Sequence, residues 1–589
     1  MDLPPGTART LTEPRVASSR TAVTRGSKRR IQLLAVIAVG AFLVLALRAT
    51  WLGTVRASTL SARADLQHLI RVTLPAQRGS IMSSDGQALA VDKPTMLVTA
   101  DARYVTDPAE VAKTVTAVAG GDATTRMRLE RSLVSKSAYV ILAKHVSIKQ
   151  ADYLRARDLD GVHFTRTSAR NYPRHKVGGQ LLGFTNLESG KGIEGLEKST
   201  NDVLAGRDGK RVEIRDPRLG QTVRIAEARD PKAGSDIELT INASIQERFE
   251  TILARYRRTY KATSAMGVIM DPNTGAIIAM TSVPRVDPNN RAKLDPNTTQ
   301  NRSVTDPFEP GSVFKTFTVA GALEEGLVTP STRFNLPPSL TINKGTDDEF
   351  TLNEAHERDT YETMSTTAIL QRSSNIGAIT ISDRLRRRNL LRPWLAKFGF
   401  GTATGIDLAA ENAGNLPPRA KWTAGSRINI PLGQGLTATQ VQQARAYAAI
   451  ANGGFLVSPH VVARVGGHSV APKERVRIIS KRTSLELTRM LETVVEGSNG
   501  TAVNARLDGY EVAGKTGTAQ KVDPKLGKYI NRYRSSFIGY VPSRHPRLVI
   551  AIMLDDPDPA GPHTGGEVAA PAFKDIADYA LSALSIPPG

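Results

Sequence analysis

The stretch from Ile31 to Leu47 sets the first limit on what this chain can become, because it is apolar throughout except for Gln32 and Gly40. A run of 17 residues without a charge suits a helix crossing a lipid bilayer, with Trp51 and Leu52 carrying it through the interface. Seven basic residues precede it against two acidic ones, and Lys28, Arg29 and Arg30 abut it directly. That asymmetry places the N-terminus in the cytoplasm and everything after Arg48 outside. A cleaved signal peptide has the same layout, but the one obvious small-x-small site, Ala62-Arg63-Ala64, lies about 15 residues past the apolar core, too far for cleavage. Residues 31–52 therefore read as a retained single-pass anchor in the cytoplasmic (inner) membrane. Residues 1–30, rich in Thr, Arg, Pro and Gly without apolar periodicity, read as a disordered cytoplasmic tail.

A body outside the cytoplasm narrows the meaning of the composition. The formal net charge of +22 fits a nucleic acid, a membrane surface or an anionic polymer as partner, and an exported chain with 5% aromatic residues argues against nucleic acid. The absence of cysteine excludes disulfides, Cys-ligated zinc and thiol catalysis together. With 589 residues, two or three folded units are expected.

Leu60 to Val72 is charged and helix-like. Leu74-Pro-Ala-Gln-Arg-Gly-Ser-Ile81 then opens an extended module, with a turn signal at Ser84-Asp85-Gly86, that ends near Asp236. Residues 53–235 are thus assigned to a linker and pedestal, and 236–589 to a globular α/β unit. In that unit Ile237 to Ile241 reads as a strand and Ala243 to Tyr256 as a helix. Ala265–Met270 and Ala276–Met280 read as a hairpin around Asp271-Pro-Asn-Thr-Gly275. Phe537–Val541 and Leu548–Leu554 repeat the pattern, so about five strands are expected in one antiparallel sheet flanked by helices. Thr437-x-x-Gln440 is the expected capping box of a helix through Val441, Ala444 and Ala448 that stops at Asn452-Gly453-Gly454.

Three short segments carry chemistry. In Glu309-Pro-Gly-Ser312-Val-Phe-Lys315, Pro and Gly punctuate a loop from which a helix runs to Gly326, which puts Ser312 in its first turn. A spacing of three sets Ser312 and Lys315 on one face, so the amine can reach the hydroxyl. A serine is a poor nucleophile unless a base takes its proton, and a lysine kept neutral by burial or by another cation can be that base. The helix start also offers N–H groups where an oxyanion would develop. Alone, Ser-x-x-Lys is weak, since roughly two or three such pairs arise by chance in a chain this long. Ser373-Ser374-Asn375 adds a hydroxyl for proton relay and an amide to hold a peptide. Lys515-Thr516-Gly517-Thr518 follows a plausible strand, and its glycine would let a substrate backbone lie close along the edge.

Together, in this order, the three segments match the S-x-x-K, S-D-N and K-T-G set of serine β-lactamases and penicillin-binding proteins, with Ser374 in place of the Asp. The chain resembles the class B penicillin-binding proteins, and among them the FtsI-type septal transpeptidases. The resemblance runs from about Arg78 to Phe573. It includes Arg170-Asn-Tyr-Pro173, Gly192-Ile-Glu-Gly-Leu-Glu197, Leu239-Thr-Ile-Asn242, Asp306-Pro-Phe-Glu-Pro-Gly-Ser312, Gly433-Gln-Gly435, Lys515-Thr-Gly-Thr-Ala-Gln520 and Gly565-Gly-Glu-Val-Ala-Ala-Pro571. One departure is Met82-Ser83, where the family usually has Asp-Arg.

The resemblance implies a penicillin-binding-protein or serine-β-lactamase-like α/β (α+β) transpeptidase domain on an extended pedestal. Ser312 would attack the penultimate D-Ala carbonyl of a peptidoglycan stem peptide, and an amine of a second stem would resolve the acyl-enzyme. Lys315 would be the general base, Ser373 the proton relay with Lys515 nearby, and Asn375 the anchor for the substrate amide. The N–H groups of Ser312 and Thr518 would form the oxyanion hole, and the Thr516 and Thr518 hydroxyls would meet the substrate carboxylate. No metal or organic cofactor is needed. β-Lactams would be covalent inhibitors. A β-lactamase has no use for the long segment from Thr73 to Asp236, and a bifunctional enzyme would need a Glu-Asp-x-x-Phe-x-x-His motif that is absent. A silent scaffold or β-lactam sensor has no need of three intact triplets. Because the chain shows no module that polymerises glycan, an FtsW-type glycosyltransferase and other division proteins are the implied partners.

Overall fold

A computed structural model describes residues 25–588 except 60–68, 216–221, 292–293, 343, 346–348, 355–358, 472–474, 524 and 526. Most of the expected cytoplasmic tail, and the stretch Leu60 to His68 of the expected charged helix, lie outside the described residues. The rest of that stretch corrects the expectation, because Leu69–Leu74 is a strand. Its sequence, Leu-Ile-Arg-Val-Thr-Leu, holds β-branched residues that suit a pleated surface better than a helix.

The chain forms two units. The first comprises Met1–Leu74 and Lys210–Asp230. Its helix, Arg25–Thr54, contains the one span among the described residues that is long and apolar enough to cross a membrane, Arg29–Thr54, with a mean hydropathy of 2.3. None of that window is buried, which rules out the core helix of a soluble domain. In a three-stranded sheet, Gly209–Arg215 is the middle strand between Leu69–Leu74 and Thr222–Arg229.

The second unit holds Pro75–Gly209 and Pro231–Gly589. The short strand Ile81–Met82 pairs antiparallel with Ala88–Ala100 and parallel with Ile237–Leu239, which pairs in turn with Val462–Val465. A buried ion network locks this region. Glu197, fully buried, receives Arg78 Nε at 2.7 Å and Arg170 Nε at 2.6 Å, and the Tyr172 hydroxyl donates to it at 3.3 Å. Arg170 also reaches Asp92 at 3.3 Å and the Gly79 carbonyl at 2.9 Å. Three of the quoted motifs thus meet on one carboxylate. Where the family has Asp-Arg, Ser83 instead donates to Asp85 at 2.6 Å, and Asp85 accepts the Ala243 N–H at 2.9 Å. Glu197→Ala would strand two buried guanidinium groups, so a loss of about 3–5 kcal/mol is expected in urea melts of the full-length protein. A loss below 1 kcal/mol would show that water or other partners hold the arginines.

The catalytic sheet follows the expectation. Its strands are β1 (Ser264–Met270), β2 (Ile277–Val283), β3 (Ala513–Asp523), β4 (Lys528–Val541) and β5 (Leu548–Asp555). They lie in the order β2-β1-β5-β4-β3, and every pair is antiparallel. Every residue of β1 and β5 is buried, which is why they read as unbroken apolar runs. One face packs Ile269, Ile550 and Ile552 against α1 (Ala243–Thr259) and the C-terminal helix Ala570–Ala583. The other packs Val268, Ala551 and Tyr540 in the core shared with α2 (Lys315–Glu324) and α4 (Gln440–Ala451), to which α3 (Asn375–Arg387) also contributes. The cap of α4 falls two residues later than expected, with Thr439 and Gln442 forming the box. Thr437 is occupied in a backbone bridge with Asn415 and is extended.

Candidate active site

Ser312 stands on a single 3₁₀ turn, Gly311–Phe314, that leads into α2. The turn is held by its backbone. The Tyr447 hydroxyl donates to the Val313 carbonyl at 2.8 Å, and the Gly311 N–H donates to the Gly433 carbonyl at 3.0 Å. Gly433 is at φ +82, and a Cβ there would fall 2.2 Å from the Gly311 oxygen, so only glycine fits. The Gly435 N–H donates to Glu309 at 2.8 Å, which accounts for the second glycine-motif contact with this loop. Ser312 is half-buried, and its hydroxyl has no hydrogen-bond partner among the described residues.

Lys315 is fully buried one turn on. Its Nζ donates to the Ser373 carbonyl at 2.5 Å, to Asn375 Oδ1 at 2.7 Å and to Ser373 Oγ at 3.3 Å, and none of its bonds goes to Ser312. Burial lowers its pKa to about 7, while the charge of Glu354 works in the opposite direction. Ser373 is held at φ +59, and Ser374 caps α3 by accepting the Gly377 N–H at 2.9 Å.

Lys515 on β3 is also fully buried, and its Nζ donates to the Thr516 carbonyl at 3.2 Å. Burial, and then the charge of Lys315, hold its pKa well below the usual lysine range. Thr516 and Thr518 alternate onto one side of the strand. The Thr516 hydroxyl meets that of Thr501 at 2.8 Å, and Thr518 Oγ1 accepts the Gly565 N–H at 3.1 Å. At Gly517 the strand packs tightly against its neighbours. A Cβ there would meet Ser536 Oγ at 2.4 Å, with Pro310 O and Val313 Cγ1 at 3.0 Å. The missing Cβ is what lets the Ser536 side chain and the start of the Ser312 turn pack against this strand.

All eight expected residues therefore sit on three elements that converge: the Ser312 turn against β3 at Gly517, and Lys315 against Ser373 and Asn375. Sequence reasoning missed Tyr447 and Glu354. Both act on the site from far along the chain, and no local motif marks either.

Residues 265–578 match the penicillin binding protein transpeptidase domain, and residues 73–239 the penicillin-binding protein dimerisation domain. The peptidoglycan D,D-transpeptidase FtsI of Escherichia coli is 31% identical over 548 residues, 92% of this chain and 89% of that protein. The stage V sporulation protein D of Bacillus subtilis is 31% identical over 576 residues, 95% of this chain and 86% of that one. Among solved structures, penicillin binding protein 3 of Mycobacterium tuberculosis complexed with aztreonam superposes with a TM-score of 0.67 at 28% identity, covering 88% of this chain and 98% of that one. A buried lysine pair, an unpartnered serine hydroxyl on the turn that leads into Lys315 and matches over both halves of the chain leave one family: the chain belongs to the class B penicillin-binding proteins, serine-type peptidoglycan D,D-transpeptidases.

Proposed function

We propose that the chain cross-links peptidoglycan at the division septum through an acyl-enzyme on Ser312. The observation that carries the chemistry is the buried Lys315 amine, which has a pKa of about 7 one turn from an unpartnered serine hydroxyl. As a free base, Lys315 takes the Ser312 proton while Oγ attacks the penultimate D-Ala carbonyl. The oxyanion is received by the Ser312 and Thr518 N–H groups. Collapse breaks the peptide bond, and the departing D-Ala amine takes a proton from Lys315 by way of Ser373, with Lys515 nearby. Asn375 holds the donor amide, and Thr516 and Thr518 meet its carboxylate. The amine of a second stem then attacks the acyl carbon, Ser312 leaves, and the proton returns along the same path. Aztreonam and ampicillin complexes of the mycobacterial structure support a β-lactam as the covalent mimic.

The FtsI-named relative supports the septal role, and the basic flank of the apolar helix supports a catalytic unit outside the cytoplasmic membrane. A fluorescent fusion is expected to gather at midcell in dividing cells. A uniform peripheral signal would assign the protein to the lateral wall. An FtsW-type glycosyltransferase is the proposed partner, contacted by the helix and the pedestal after Thr73. A helix in lipid gains no hydrophobic drive for pairing, so Ala35, Ala38 and Gly40 would supply close packing. Exchanging the helix for an unrelated single span is expected to weaken co-purification while sparing β-lactam acylation. Co-purification that survives both the exchange and deletion of the pedestal would refute the partnership.

A further inference from the structure

Glu354 follows the Phe350–Asn353 strand and is 9% exposed. One of its oxygens accepts the Ser374 hydroxyl at 2.6 Å, and the other accepts the Asn375 N–H at 2.8 Å. The neighbouring Asn353 carbonyl accepts Asn375 Nδ2 at 3.2 Å, so the Asn375 side chain is fixed from one end. Its other end, Oδ1, receives Lys315. Between Glu354 and Lys315 lies the turn whose first residue, Ser373, holds a left-handed φ of +59, a conformation that serine keeps only when its surroundings impose it.

We propose that Glu354 is a positioning residue for acyl transfer: its carboxylate clamps the Ser373–Asn375 turn onto the Lys315 amine and is the anion that balances that amine. The inference rests on the reading of Ser312 and Lys315 as nucleophile and base. Ser374 and Glu354 share the capping of α3, taking the Gly377 and Asn375 N–H groups, but only Glu354 also carries a charge that acts on Lys315. The Glu354 charge favours the ammonium form of Lys315, and the Lys315 charge acts in turn on Lys515 of β3, whose burial already disfavours its ammonium. Loss of the Glu354 charge therefore makes the Lys315 free base available at lower pH.

The test is the acylation rate of the full-length protein in detergent with a fluorescent penicillin, followed from about pH 5.5 to about 9. In Glu354→Gln the plateau rate is expected to fall on the order of 10²-fold, as for a misplaced base. Its acidic limb is expected to move to lower pH by about one pH unit. Glu354→Asp keeps the charge but cannot span both donors, so its rate falls while its limb stays where the wild type has it. A Gln variant with an unmoved limb overturns the proposal, and so does an Asp variant that acylates at the wild-type rate. If the Gln variant shows no thermal transition, the Asp variant decides alone by its rate at a preserved transition. A wild-type protein that takes no label at Ser312 overturns the underlying reading of the site, and this proposal with it.

Discussion

A fluorescent penicillin is expected to leave no covalent label on Ser312→Ala, a loss of at least ~10³-fold in acylation rate. The substitution deletes the one hydroxyl that stands unpartnered on the turn beside the two buried lysines. The turn should survive it. Its anchors are the Tyr447 bond to the Val313 carbonyl and the Gly311 bond to the Gly433 carbonyl, neither of which uses the Ser312 side chain. Thermal stability should therefore stay within about 1 kcal/mol of wild type. A variant that melts normally and still labels would move the nucleophile elsewhere.

Lys315→Ala is expected to slow acylation by about 10²–10⁴-fold, the usual cost of losing a general base. The wild-type rate should rise with pH through about 7, since burial disfavours the ammonium and the free base dominates above that value. Below it the amine is protonated and cannot take the Ser312 proton. In the alanine variant that limb should vanish, because the group that titrates is gone. The cavity left beside Ser373 will also cost stability, so Lys315→Met, which fills the space without a base, is the sharper comparison. A near-normal rate in either variant would remove Lys315 from the mechanism.

How far these features can be read from sequence depends on the range over which their causes act. The β1–β2 hairpin was readable because its strands are buried apolar runs joined by Asp271 to Gly275, all within a score of residues. The three catalytic segments were readable for the same reason, since each holds its chemistry within four residues or fewer. The α4 cap was misplaced because Thr437 and Thr439 both fit the pattern. A bridge to Asn415, more than 20 residues earlier, decides between them. The approach of Ser536, Pro310 and Val313 to Gly517 was not readable, because nothing in its own strand announces it. Glu354 escaped notice altogether. Glutamate is ordinarily a solvated residue, and only the tertiary fold shows that this one is buried against Ser374 and Asn375.

The order β2-β1-β5-β4-β3 has a consequence for the making of the protein. The first strand of the hairpin ends at Met270 and its second neighbour begins at Leu548, so 277 residues (271–547) lie between them. At ~5–20 residues per second, the free edge of β1 waits on the order of tens of seconds for its partner. During that time a strand that is apolar on both faces offers unpaired N–H and C=O groups to any other chain, which is the condition for edge-to-edge aggregation. Newborn molecules therefore pass through a period of exposure that ends only when synthesis is nearly over. A stop codon placed just before Leu548 would look like the trimming of an end, yet it would take out the middle of the sheet and leave two separate strand pairs.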